Sequence, residues 1–154
     1  MRKNQLTKIT LVNGINIINC NFTYPLLFED GTLIQPVTDK EWLSTISIDK
    51  SGYNIKKSIC GRFYEATQQC VLSLNAKFAI NSMQTQYTRE GVDIILVTPS
   101  LLEIIKVQAS PYKIYTPMEI SDKGVIRSVK NRGEFDEYFD KPNNKVYSID
   151  KFIR

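Results

Sequence analysis

"GVDIILVTPSLLEIIKVQAS", residues 91–110, decides the fold class. Val92 to Val97 is a continuous apolar run of strand length. Thr98 is a good helix N-cap, and Pro99 suits the first helical position, where a missing N–H costs nothing. Leu101, Leu102, Ile104 and Ile105 then form an apolar stripe along a short helix over about 99–108. Ser110-Pro111 closes it. This is the one clear helix that the sequence predicts, and strand signals surround it on both sides.

Upstream, "ITLVNGINIIN" (9–19) reads as two short strands around Asn13-Gly14, since both turn residues tolerate positive φ. "YPLLFEDGTLIQPV" (24–37) repeats the pattern around Asp30-Gly31, with Pro25 and Pro36 marking strand ends. "WLSTISID" (42–49) alternates like a half-buried strand with Trp42 in the core, and Ser51-Gly52 reads as a turn. Residues 58–82 read as mostly strand, supported by Val71, Leu72, Leu74, Phe78 and Ile80. Downstream, "YKIYTP" (112–117) is a short strand, Asp122-Lys123-Gly124 a turn, and "VIRSVK" (125–130) a further alternating strand. The expectation is an α+β fold with a mostly antiparallel sheet, in a single domain over residues 1–132. Residues 133–154 change composition and read as a C-terminal tail or arm. In it Phe135, Tyr138 and Phe139 would share one helical face.

The absence of histidine excludes Ser-His-Asp and Cys-His nucleophilic systems and histidine-ligated zinc. Three cysteines without a CxxC pair point to neither a disulfide framework nor a zinc site, and fit a reducing cytoplasm. Cys60 reads as a small buried hydrophobe. No GxxxxGK[ST], GxGxxG or HExxH motif occurs, so no cofactor and no metal are expected. Asp136, Glu137 and Asp140 match no metal-loop spacing and read as a solvated acidic face. No apolar stretch is long enough for a membrane span. Ile, Asn and Lys are plentiful, as A/T-rich coding gives. The net charge of +4 is too mild for a duplex-binding surface, so nucleic acid is not an expected partner, but it allows a local anion site.

The candidate ligand site is Tyr112, Lys113 and Tyr115 with Arg127, Lys130 and Arg132. Aromatic and guanidinium planes stack on a base, and cations hold phosphates. Arg62 and Tyr64, in "CGRFYEATQ" (60–68), form a second candidate cluster. The alternative for each is a solvated face with Arg stems lying over apolar surface.

The ordered pieces "LTKITLVNGINII" (6–18), "EDGTLIQPV" (29–37), "GVDIILVTPSLLEIIKV" (91–107) and "YKIYTPMEISDKGVIRSVKNRG" (112–133) resemble a family of small phage-encoded α+β proteins. The chain departs from that family's opening, which has Pro-His where Asn13-Gly14 falls. In size and in its aromatic-plus-arginine C-terminal region it is similar to the anti-Thoeris nucleotide sponges. The resemblance implies a non-catalytic homo-oligomer in the host cytoplasm. It would sequester a nucleotide second messenger, cyclic ADP-ribose-like or a cyclic oligonucleotide, and so block antiviral defence. The alternative expectation is a protein–protein inhibitor of a host defence enzyme, or a virion accessory protein, that docks through the acidic-aromatic tail. A carboxylate-dependent nuclease would instead require metal-dependent turnover.

Overall fold

The computed structural model describes residues 6–57, 64–131, 133–135, 138 and 145–154, with the backbone alone for 48–57, 64–70 and 134. The fold is α+β. Its strands are β1 (Lys8–Thr10), β2 (Asn16–Asn19), β3 (Leu26–Phe28), β4 (Leu33–Ile34), β5 (Ile48–Lys57), β6 (Tyr64–Leu72), β7 (Ile94–Leu96), β8 (Ile114–Glu119) and β9 (Val146–Ile153). Its helices are α1 (Lys40–Thr45), α2 (Leu74–Arg89), α3 (Pro99–Gln108) and α4 (Lys123–Lys130), with a 3-10 turn at Gly133–Phe135.

Seven strands form one sheet in the order β1-β2-β7-β8-β9-β3-β4, and β5 and β6 form a two-stranded sheet of their own. Antiparallel pairings are in the majority. The middle of the large sheet is nonetheless mixed: β2–β7, β7–β8 and β3–β9 run parallel. The β7–α3–β8 segment is a βαβ unit, the connection a parallel pair requires. Both turn signals hold. Asn13-Gly14 joins β1 to β2 and Asp30-Gly31 joins β3 to β4, with φ of +86° at Gly14 and +88° at Gly31, a region glycine enters without steric cost.

Alternation along the strands builds two cores. Ile18, Ile95, Val97 and Ile114 face a layer made by Trp42 and Ile46, by α2 through Ala76, Ile80 and Met83, and by α3 through Leu101 and Ile105. Their neighbours Ile17, Ile94 and Leu96 point the other way, where they meet Leu26, Phe28, Ile34 and Tyr147. The second set unites strands from opposite halves of the sheet, so the sheet curls around it. Beyond β9 the convex side is covered by Val129, Phe135 and Tyr138, packed on Leu27 and Val146.

Four expectations are corrected. Residues 40–45 are helix rather than strand: Asp39 caps the Trp42 N–H, and the Trp42 indole reaches inward to donate to the Cys20 carbonyl at 2.8 Å. Strand β6 stops at Leu72, and Ser73 caps α2 through the Ala76 N–H, so 74–82 is helical. Residues 125–130 lie in α4 because Asp122 accepts from the Gly124 and Val125 N–H groups and starts a helix where a turn was expected. Ser51-Gly52 lies inside β5 at a register shift. In addition, the segment read as a tail supplies β9, which lies between β8 and β3. Of its expected helical face, Phe135 sits in the 3-10 turn and Phe135 and Tyr138 are buried, while Phe139 lies outside the described residues.

Candidate functional site

Of the expected ligand site, the structure places Tyr112, Lys113 and Tyr115 apart from Arg127 and Lys130. Tyr112 is exposed, in a loop held by Gln84 of α2, whose Oε1 accepts from the Tyr112 N–H at 2.8 Å and the Lys113 N–H at 3.3 Å. Lys113 is half-buried, and its carbonyl accepts from the Ile95 N–H. Tyr115 is half-buried on the inner, concave face. Its ring meets Phe152 edge-on at 6.4 Å, and the Arg154 guanidinium lies 5.3 Å from its centroid. The Arg154 Nε–H donates to the Tyr115 hydroxyl at 3.2 Å, so a partner that the sequence did not suggest occupies this aromatic.

Arg127 and Lys130 lie on α4, past the other end of β8 from Tyr112. The six residues of β8 alone span roughly 20 Å. With Lys123 these cations recur at i, i+4 and i+7 and form one exposed basic helix face. Arg62 and Arg132 lie outside the described residues, as do Cys60, Asp136, Glu137 and Asp140, and Tyr64 opens β6 opposite Lys57.

Cys20 is fully buried, and burial pushes its thiol far above the ordinary range, so it stays protonated and unreactive. Glu29, Glu119, Asp122 and Asp150 border an open cleft of about 340 Å³ beside α4. Each of these carboxylates already serves the fold. Glu29 accepts from the Ile149 N–H, Asp122 caps α4, Asp150 accepts from the Ser148 hydroxyl, and Glu119 pairs with Lys145 at 3.7 Å. Among the described residues no group of three or more metal-capable side chains occurs, and no helix is long and apolar enough to cross a membrane.

Two surface features were not foreseen. The first is a seam. The curled sheet brings its edge strands β1 and β4 toward each other, and between them lies a cleft of about 200 Å³ walled by Leu6, Ile9, Ile34, Pro36 and Val37. The Asn19 side chain forms part of its lining; its amide donates to the Phe22 and Gln35 carbonyls, and its oxygen accepts from the Phe22 N–H.

The second is an apolar shoulder. Leu74 and Phe78 stand at i and i+4 on α2, 69% and 62% exposed, and Val107 near the end of α3 is 81% exposed. The Gln108 side chain accepts from the Leu72 N–H at 2.8 Å, which brings the end of α3 against the start of α2. Val107 precedes that anchor by one residue, and Leu74 follows Leu72 by two. Leu74 and Phe78 supported the strand reading of this region, but on the helix they face away from the buried side carried by Ala76, Ile80, Met83 and Tyr87.

The chain matches no family model, and no curated protein or solved structure is similar to it at a significant level.

Proposed function

We propose that the chain is a non-catalytic protein-binding module whose contact surface is the shoulder of Leu74, Phe78 and Val107. The exposure of three large apolar side chains on adjoining helix ends carries this reading, because such patches mark protein contacts more often than chance decoration. The lack of histidine and the inert Cys20 thiol support an activity that needs no chemistry. The fitting setting is the second one expected from the sequence, an inhibitor of a host defence enzyme or a virion accessory protein. The test compares the wild-type protein with Phe78→Asp as bait in host-cell extract, with self-association followed in parallel by sedimentation. Binding to a defined partner, lost at least tenfold in Phe78→Asp at unchanged thermal stability, is expected. Equal binding by both would remove the shoulder from the function.

A second reading is sequestration of a small anionic nucleotide to block host antiviral defence. The basic face of α4, with Lys123, Arg127 and Lys130, favours it, since closely spaced cations hold phosphates. Titration calorimetry with cyclic ADP-ribose and with a cyclic dinucleotide tests it: binding that Arg127→Ala weakens supports it, and no heat with either ligand removes it.

A further inference from the structure

We propose that Asn13 is a self-modification site: it deamidates spontaneously when the β1–β2 turn opens, and the product irreversibly unlocks the first hairpin from β9. The proposal is independent of the protein-binding reading. Asn13 is the one asparagine of the chain that precedes a glycine, and both residues are exposed. Glycine carries no Cβ, so its backbone nitrogen meets little hindrance in approaching the side chain before it.

The reaction needs these two residues and water. In the open turn the Gly14 nitrogen gives its proton to solvent and attacks Cγ of Asn13. The N–Cγ bond forms, the Cγ–Nδ2 bond breaks, and the amide group leaves as ammonia with a proton from water. The succinimide ring that results then takes up one water. Cleavage of the new N–Cγ bond leaves an aspartate at position 13. Cleavage of the original bond between that nitrogen and the backbone carbonyl carbon leaves an isoaspartate, with the chain running through the side chain. In sum one water is consumed and one ammonia released, and nothing is oxidised or reduced.

The folded turn holds this chemistry back. The Gly14 N–H donates to the Leu11 carbonyl at 2.9 Å, which keeps its proton in place. The Asn13 amide is pinned at both ends: Nδ2 donates to the Ile149 carbonyl at 2.8 Å, and Oδ1 accepts from the Ile15 N–H at 3.2 Å. Asp30 holds the neighbouring Val12 N–H at 3.1 Å. These bonds must release before nitrogen and Cγ can meet, so local opening sets the rate.

The product cannot close the turn again in the same way. A carboxylate only accepts, and the Ile149 carbonyl that it would face is also an acceptor. The Asp30 carboxylate beside Val12 adds a like charge. Isoaspartate also lengthens the main chain of a hairpin turn, and turn length fixes the register of the strands it joins. The tie from the hairpin to β9 is lost. Ile9 of that hairpin walls the seam, so the seam loosens with it.

Peptide mapping by mass spectrometry tests the proposal on the full chain, incubated at neutral and at mildly alkaline pH, with ammonia release measured alongside. Conversion at Asn13 is expected in the folded protein, about tenfold or more slower than in the same chain unfolded in guanidinium chloride. It should quicken with pH, because the attacking nitrogen must lose its proton. Asp30→Ala removes the neighbouring tie without touching the reacting atoms and should speed conversion roughly fivefold. A thermal melt checks that this variant remains folded. Asn13→Asp installs the product with an unaltered main chain and should hasten amide exchange at Leu11 and Ile15. Asn13 left intact in the folded protein while the unfolded chain converts would overturn the proposal. Equal rates in folded and unfolded chains, or in wild type and Asp30→Ala, would overturn the gating by the turn. Unchanged exchange in Asn13→Asp would overturn the unlocking.

Discussion

Asp30, in the turn of the β3–β4 hairpin, accepts a hydrogen bond from the Val12 N–H in the turn of the β1–β2 hairpin, at 3.1 Å. The two hairpins form opposite edges of the seven-stranded sheet. One carboxylate therefore ties the first edge to the last and holds the curl closed at one end of the seam. Its other oxygen accepts from the Thr32 N–H at 2.9 Å, which also fixes its own turn. Asp30→Ala should cost about 1 kcal/mol, the usual net value of such bonds at an exposed site. A lower urea midpoint and faster exchange of the Val12 amide are expected. An unchanged Val12 exchange rate would show that the tie does not hold the curl.

Gln84 is fully buried, and its amide serves three backbone groups: the Tyr112 and Lys113 N–H groups and the Ser110 carbonyl, the last at 3.3 Å. Gln84→Leu fills similar space but leaves those groups without their partner. The expected loss is about 2 kcal/mol, larger than for a surface change because desolvated donors go unsatisfied. Chemical denaturation measures it, and a loss below about 0.5 kcal/mol would mean that the loop finds other partners.

Thr116 of β8 is 4% exposed, and among the described residues its Oγ1 is the buried side-chain atom without a hydrogen-bond partner. An unmet buried hydroxyl costs free energy, and valine has the same shape without it. Thr116→Val should raise stability by about 1 kcal/mol. A destabilised variant would reveal a partner for this hydroxyl.

The Tyr138 hydroxyl donates to the Lys145 carbonyl at 2.6 Å, and burial pushes its pKa up to about 12. The folded state thus holds this proton more tightly than the unfolded chain, where tyrosine titrates near 10. Its contribution is fully present below about pH 10 and is lost as pH rises toward 12. Burial also raises Tyr147 and Cys20, so their contributions fall in the same alkaline direction. Denaturation series from pH 9 to 12 should show falling stability, with a shallower fall in Tyr138→Phe. An equal slope in that variant would exclude Tyr138 as a source.

The legible parts of this fold were the local ones. Asn-Gly and Asp-Gly turns and the Thr98-Pro99 helix start carry their physics within a few residues. Three further helix starts were present in the same form, as Asp39, Ser73 and Asp122, but the residues after them fit two periods. In 125–130, Val125, Arg127 and Val129 alternate, yet Ile126 and Val129 also stand at i and i+3, and the Asp122 cap decides for the helix. At 74–82, exposed Leu74 and Phe78 imitate strand alternation because their apolar character serves a surface and not the core. The parallel pairing of β2 with β7 joins residues more than 70 positions apart, and no local signal specifies it. The same holds for the seam, whose walls come from residues 6–9 and 34–39. The expected nucleotide site grouped residues by closeness in sequence, and β8 with α4 sets them at opposite ends of a strand.

The position of β9 sets the order in which the chain can assemble. Among the described residues, β9 is the strand that pairs the β3–β4 hairpin with the rest of the large sheet, bridging it to β8. Until residues 146–153 have been made, the hairpin at 26–34 has no strand beside it and must wait for more than a hundred residues of later synthesis. Sheets closed by such distant pairings form slowly and expose unpaired edges in the meantime. A ribosome-bound chain lacking 146–153 would hold two unjoined half-sheets, and protease would cut 26–34 long before it cut β7 or β8.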